Sequence, residues 1–168
     1  KNDVKNEDAW FEKGNCYWNL KNYKESEKCY LEACKLDPEI AETWCNLGDI
    51  AAVNRSPNEA LLFYEKSLFC DKTEINAHIG KAKTHKDLKQ YSESIQSINE
   101  ALKIENDNED ALFTKATCLH AAGNYEEAIN VNMKFIEKFP KSDDIAEVWG
   151  AISQDQNHLD KPDKALTS

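Results

Sequence analysis

The stretch EDAWFEKGNCYWNLKNYKESEKCYLEACKLDPEI, Glu7 to Ile40, decides how the whole chain is read. Trp10, Gly14 and Tyr17 stand at i, i+4 and i+7, one stripe of a helix. This predicts a first helix near Glu7 to Leu20, a turn at Lys21-Asn22 and a second helix near Tyr23 to Leu36. Gly14 leaves room for the second helix to cross close by, and Pro38 ends the unit because it cannot continue a helix.

The same landmarks return 34 residues later, with Trp44, Leu47, Gly48, Ala60, Tyr64 and Ser67 in register. Ser56-Pro57-Asn58-Glu59 reads as a capping box with proline at the first helical position. The next unit, Ile75 to Asn108, diverges. His78 and His85 stand where Trp and Tyr stood, and Ala82 takes the glycine position, while Tyr91, Ile98 and Ala101 keep register. Its packing is expected to be the loosest.

From Glu109 the landmarks are Leu112, Ala116, Leu119, Gly123-Asn124-Tyr125, Ala128 and Pro140. Gly123 suits a left-handed turn residue and Asn124 a helix cap. Asn132 and Phe135 invert the usual large-then-small pair, an exchange that could conserve volume on one face. After Pro140, three extra residues around Ser142-Asp143-Asp144 would start a fifth unit at Ala146. That register aligns Trp149 with Trp10 and Trp44, Pro162 with Pro57 and Ala165 with Ala60, and is preferred to the strict period.

Trp10, Gly14, Tyr17, Ser26, Tyr30, Ala33 and Pro38 follow the spacing W-x2-L-G-x2-Y, then A-x3-F, then P, with Lys13 where Leu is usual. On these residues the chain resembles the tetratricopeptide repeat family. The expected fold is all-α: a right-handed superhelix, or α-solenoid, of antiparallel helix pairs. It is read as a single domain over 1–168, with repeats 7–40, 41–74, 75–108 and 109–145 and a partial repeat 146–168. A start without Met and an end within a repeat suggest a piece of a longer array.

The resemblance implies a concave face, lined mainly by the first helix of each pair, that holds a peptide or partner helix. Carried over by repeat position, the groove residues would be Phe11, Asn15 and Trp18, then Cys45, Asn46 and Asp49. The third repeat would add Ile79 and Lys83, and the fourth Phe113, Thr117 and His120. Apolar residues beside acidic ones suit a protein partner with hydrophobic anchors and basic flanks. The family's carboxylate clamp is not expected. Asn15 and Asn46 match its asparagines, but Phe11, Asn76 and Gly80 occupy its three cationic positions. Nor is the asparagine ladder of the cytosolic glycosyltransferase array, whose position here reads Glu12, Asn46, Gly80, Thr114 and Ala151.

The 168 residues carry a formal charge of −10, and Arg55 is the only arginine. Nucleic acid and anionic membrane surfaces, which call for basic patches and arginine forks, are therefore not expected partners. No run of 18 apolar residues spans a bilayer. Six cysteines with no C-x2-C pair read as reduced thiols of a cytoplasmic protein, used as small apolar residues.

His78 and His85 lie seven apart on one helix face, where packing outweighs metal ligation because no third ligand completes a site. Neither a P-loop nor G-x-G-x-x-G occurs among the five glycines, and no nucleophile motif is present. No catalytic residue, metal or cofactor is expected. The expected function is a non-enzymatic protein-interaction scaffold. The alternatives are self-association of the array through its end helices, or a docking part of a larger enzyme or complex.

Overall fold

The computed structural model describes residues 6–160, and every regular element among them is an α-helix. These are α1 (Glu7–Asn19), α2 (Tyr23–Leu36), α3 (Ala41–Val53), α4 (Pro57–Cys70), α5 (Ile75–Asp87), α6 (Tyr91–Ile104), α7 (Glu109–Ala121), α8 (Tyr125–Lys138) and α9 (Ile145–Leu159). Up to α8 the helices alternate between 13 and 14 residues, as a strict repeat requires. The chain divides into two compact units, one ending at Thr84 and one beginning at His85.

Each hairpin turn between paired helices uses one left-handed residue at the same repeat position. They are Lys21 (φ 56°), Arg55 (φ 59°), Lys89 (φ 60°) and Gly123 (φ 80°). Only Gly123 adopts this conformation without a Cβ penalty. The turn closes by a backbone bond that reaches back five residues, as from Asn22 N–H to the Tyr17 carbonyl and from Asn124 N–H to that of Leu119, both 2.9 Å.

Asn6, Asn22 and Asn108 cap their helices through the side chain. Ser56 and Asn124 occupy N-cap positions but make no side-chain cap bond, so the capping box expected at Ser56 and the cap expected of Asn124 do not form. Pro57 at the first helical position lacks an N–H to satisfy, which eases the demand at that end.

In the first unit, α1 packs on α2, α2 on α3 and α3 on α4. The Ser26 hydroxyl donates to the Gly14 carbonyl at 2.9 Å and fastens α2 to α1. The Tyr30 ring lies over Gly14, and the Tyr64 ring is flanked by Gly48 and Gly80; both tyrosines are 1% exposed. A Cβ on any of the three glycines would stand 2.4–2.5 Å from a ring carbon, so absent side chains set the approach of the helices.

The third repeat keeps a contact its sequence hides. Trp44 Nε1–H donates to the Pro38 carbonyl at 2.8 Å, and His78 Nε2 meets the Lys72 carbonyl, at the equivalent repeat position, at 3.0 Å. His78 thus replaces the indole in the same backbone tie.

In the second unit, α6 packs on α7, α7 on α8 and α8 on α9. Leu112, Phe135, Val148 and Ile152 form its core. Trp149, aligned by sequence with Trp10 and Trp44, is 51% exposed, whereas Val148 is 1% exposed. The register is corrected by one residue because α9 begins at Ile145, which makes Val148 its fourth residue as Leu112 is the fourth of α7. Pro162 and Ala165 lie outside the described residues.

Candidate functional site

The first helices of the pairs carry the candidate residues. On α1, Phe11, Asn15 and Trp18 are half-buried. Phe11 tilts against Tyr30 with ring centroids 5.7 Å apart, and Trp18 meets Tyr23 edge-on at 5.2 Å. The Tyr30 hydroxyl donates to Asn15 Oδ1 at 2.6 Å, and the Tyr64 hydroxyl to Asp49 Oδ1 at 2.7 Å on α3. A buried phenol therefore holds the polar side chain beside it in one orientation. Burial pushes the Tyr30 hydroxyl up to about 12 and that of Tyr64 further, so both remain donors across the physiological range.

Asn46 and Asp49 are half-buried and Lys83 is exposed. Cys45 and Ile79 correct the sequence expectation. Each is 3% exposed, sealed by the packing of neighbouring helices, and neither offers a ligand a surface. A repeat position that faces a groove in outline still disappears when its side chain is small enough for the next helix to close over it. Burial also pushes the Cys45 thiol well above its ordinary value.

In the second unit, Phe113, Thr117 and His120 do come together. They line a cavity of about 350 Å³ between α7 and α9, whose floor includes Ala116 and Asn132. The Thr117 hydroxyl donates to the Thr114 carbonyl at 2.9 Å, leaving its oxygen free to accept. His120 Nδ1 contacts Asp155 Oδ1 at 2.5 Å, and Asp155 is wholly buried. Sequence reasoning missed Asp155, because nothing in the local pattern of α9 distinguishes it from a solvated acid.

His78 and His85 do not share a site: His85 Nδ1 meets Gln90 Oε1 at 2.8 Å, while His78 is tied to Lys72. Among the described residues no group of three metal-capable side chains occurs. No described helix is long and apolar enough to cross a membrane.

Two family models, each described as "Tetratricopeptide repeat", match residues 7–40 and 86–154. The chain belongs to the tetratricopeptide repeat family. It is 27% identical over 96 residues to tetratricopeptide repeat-containing protein trd-1 of Caenorhabditis elegans, covering 57% of this chain and 12% of that protein. It is 28% identical over 102 residues to human DnaJ homolog subfamily C member 7, covering 58% of this chain and 21% of that one. The chain thus spans about a fifth or less of these relatives. Among solved structures, YrrB, described as a tetratricopeptide repeat protein with an unusual peptide-binding site, has a TM-score of 0.76. It shares 18% identity, with 98% of this chain and 83% of that one aligned, a likeness of fold alone. The tetratricopeptide fold supports a role in protein–protein interaction, and the matched models indicate no enzyme family.

Proposed function

We propose that this tetratricopeptide repeat protein is a non-enzymatic interaction scaffold that binds an extended peptide or helix of a partner protein. Binding uses the first helices of the pairs within each unit, with Phe11 and Trp18 as apolar anchors and Asn15, Asn46 and Asp49 as polar contacts in the first unit, and Phe113 as an anchor in the second. The observation that carries this reading is the pair of buried phenols, Tyr30 and Tyr64, holding Asn15 and Asp49 from beneath. Side chains already fixed in the free protein lose little further entropy when a ligand arrives. The family's role in interaction and the peptide-binding site named for YrrB support it. The net charge of −10 favours a partner segment with basic flanks. The six free thiols fit a reducing, cytoplasmic setting, and the four repeats with the partial fifth are read as a single domain.

The test is selection of binding segments from a displayed random-peptide library, followed by titration against a Phe11→Ala, Asn46→Ala, Phe113→Ala variant that retains its helical circular dichroism. The selected segments should lose at least about tenfold in affinity, equivalent to 1.4 kcal/mol. Undiminished binding by the folded variant would place the site elsewhere on the protein and refute this assignment.

A further inference from the structure

The cavity of the second unit occupies a place that a tyrosine fills in the first. In the first two repeats the Tyr30 and Tyr64 rings lie over Gly14 and Gly48, their hydroxyls bond Asn15 and Asp49, and Gly80 of the next pair closes over Tyr64. The corresponding residues of the fourth repeat are Ala116 for the glycine, Thr117 for the hydrogen-bonding residue and Asn132 for the tyrosine itself. Gly150 of α9, sixth in its helix as Gly80 is sixth in α5, completes the set. All four line the cavity. A Cβ on Gly80 would collide with the Tyr64 ring, but nothing lies within 4 Å of a Cβ built on Gly150. The ring that should fill this space is missing from the chain.

Phe135 does not replace it. Three residues beyond Asn132, it is wholly buried among Leu112, Val148 and Ile152, one turn away, so the inversion moves the aromatic volume without closing the vacated space. Ala116 explains why the tyrosine is absent. A methyl at the equivalent Gly14 would stand 2.5 Å from the Tyr30 ring, so a ring tethered to α8 could not lie here. A ring entering from outside carries no such tether and can rest one methyl higher.

We propose that this slot receives an unmodified tyrosine side chain of a partner segment, its ring packed between Phe113, Ala116 and Val148 and its hydroxyl bonded to Thr117. The proposal rests on the reading of the protein as a peptide-binding scaffold. At about 350 Å³ the space lies at the lower end of the roughly 300–1,000 Å³ typical of ligand pockets, enough for one large side chain. Thr117 has an oxygen free to accept the phenol proton, as Asn15 and Asp49 do in the filled slots. The lining contains the Glu147 carboxylate and neither Lys nor Arg, which disfavours phosphotyrosine.

The experiment titrates the full chain with N-acetyl-tyrosinamide, N-acetyl-leucinamide and N-acetyl-phosphotyrosinamide while NMR follows the Thr117 methyl group and backbone amide, which every variant retains. Saturable shifts are expected with the tyrosine probe, with at least tenfold weaker responses to the other two. Two variants should abolish the response. Gly150→Leu projects a side chain into the empty space, and the Ala116→Gly, Asn132→Tyr double variant rebuilds the filled slot and should also raise the thermal midpoint. Absence of a saturable shift, equal response to leucinamide, or retention of binding by folded Gly150→Leu would overturn the proposal. Library-selected segments that depend on Phe11 and Asn46 but contain no aromatic residue and ignore Gly150→Leu would overturn it too, while leaving the scaffold reading intact.

Discussion

The Tyr30 ring rests on Gly14 so closely that a Cβ at residue 14 would stand 2.5 Å from Tyr30 Cε1. Because the ring is 1% exposed, it has nowhere to retreat. Gly14→Ala should therefore cost about 1–3 kcal/mol despite alanine's better helix propensity. Gly150→Ala meets nothing within 4 Å and should instead stabilise by about 0.5–1 kcal/mol. Urea unfolding of the two variants reads the contrast directly, and changes of the same sign would discredit the packing difference.

Alkaline pH should weaken the fold. Burial raises the Cys34 thiol to about 12 from an ordinary 9.0, and the Tyr30 hydroxyl to about 12 from 10.0. Raised values mean that the folded chain holds its protons after the unfolded chain has released them. The contribution is complete below pH 9 and is lost as pH rises from 9 towards 12. Each such group adds up to about 1.4 kcal/mol per pH unit to the decline. Urea midpoints measured from pH 8 to 11 should fall, less steeply in a Cys34→Ala variant, and a flat profile would contradict the burial.

Thiol chemistry should separate the cysteines. Cys16 is exposed, Cys70 is intermediate, and Cys29, Cys34, Cys45 and Cys118 are buried. Burial also raises all four buried thiols, so the reactive thiolate is scarce there. Native protein treated with a disulfide reagent should show one fast phase, absent from Cys16→Ser. Several fast thiols in the native state would mean that the helix pairs open readily.

Asp155 depends on His120. With His120→Ala the wholly buried carboxylate loses its imidazole partner, at an expected cost of about 2 kcal/mol or more. Asp155→Leu, adding an apolar side chain beside Ile152, should cost much less. Equal losses in thermal stability would show that the carboxylate is solvated.

The repeat and its helices were legible because Trp10, Gly14, Tyr30 and their counterparts recur at one spacing, and a period of 34 leaves little freedom in helix length. Two features were not. The phase of α9 depends on where the loop after Pro140 releases the chain, and with no repeat landmark there the larger Trp149 drew the alignment one residue away from Val148. The burial of Cys45, Ile79 and Asp155 depends on side chains of a neighbouring helix, such as His120, 35 residues from Asp155. A single-helix pattern carries no trace of that. The inversion at Asn132 and Phe135 was visible, but the cavity it leaves is not, since that requires Ala116 and Gly150 to be seen together.

Three ties made by buried side chains of the first unit reach only a short way along the chain. Ser26 finds Gly14 twelve residues back, and Tyr30 and Tyr64 find Asn15 and Asp49 fifteen residues back. Closing such small loops takes little chain entropy, and proteins dominated by local contacts fold in microseconds to milliseconds. Each helix pair therefore closes at little entropic cost, while the covering of Tyr30 by Leu47 and Ile50 and of Tyr64 by Gly80 waits for the pair that follows.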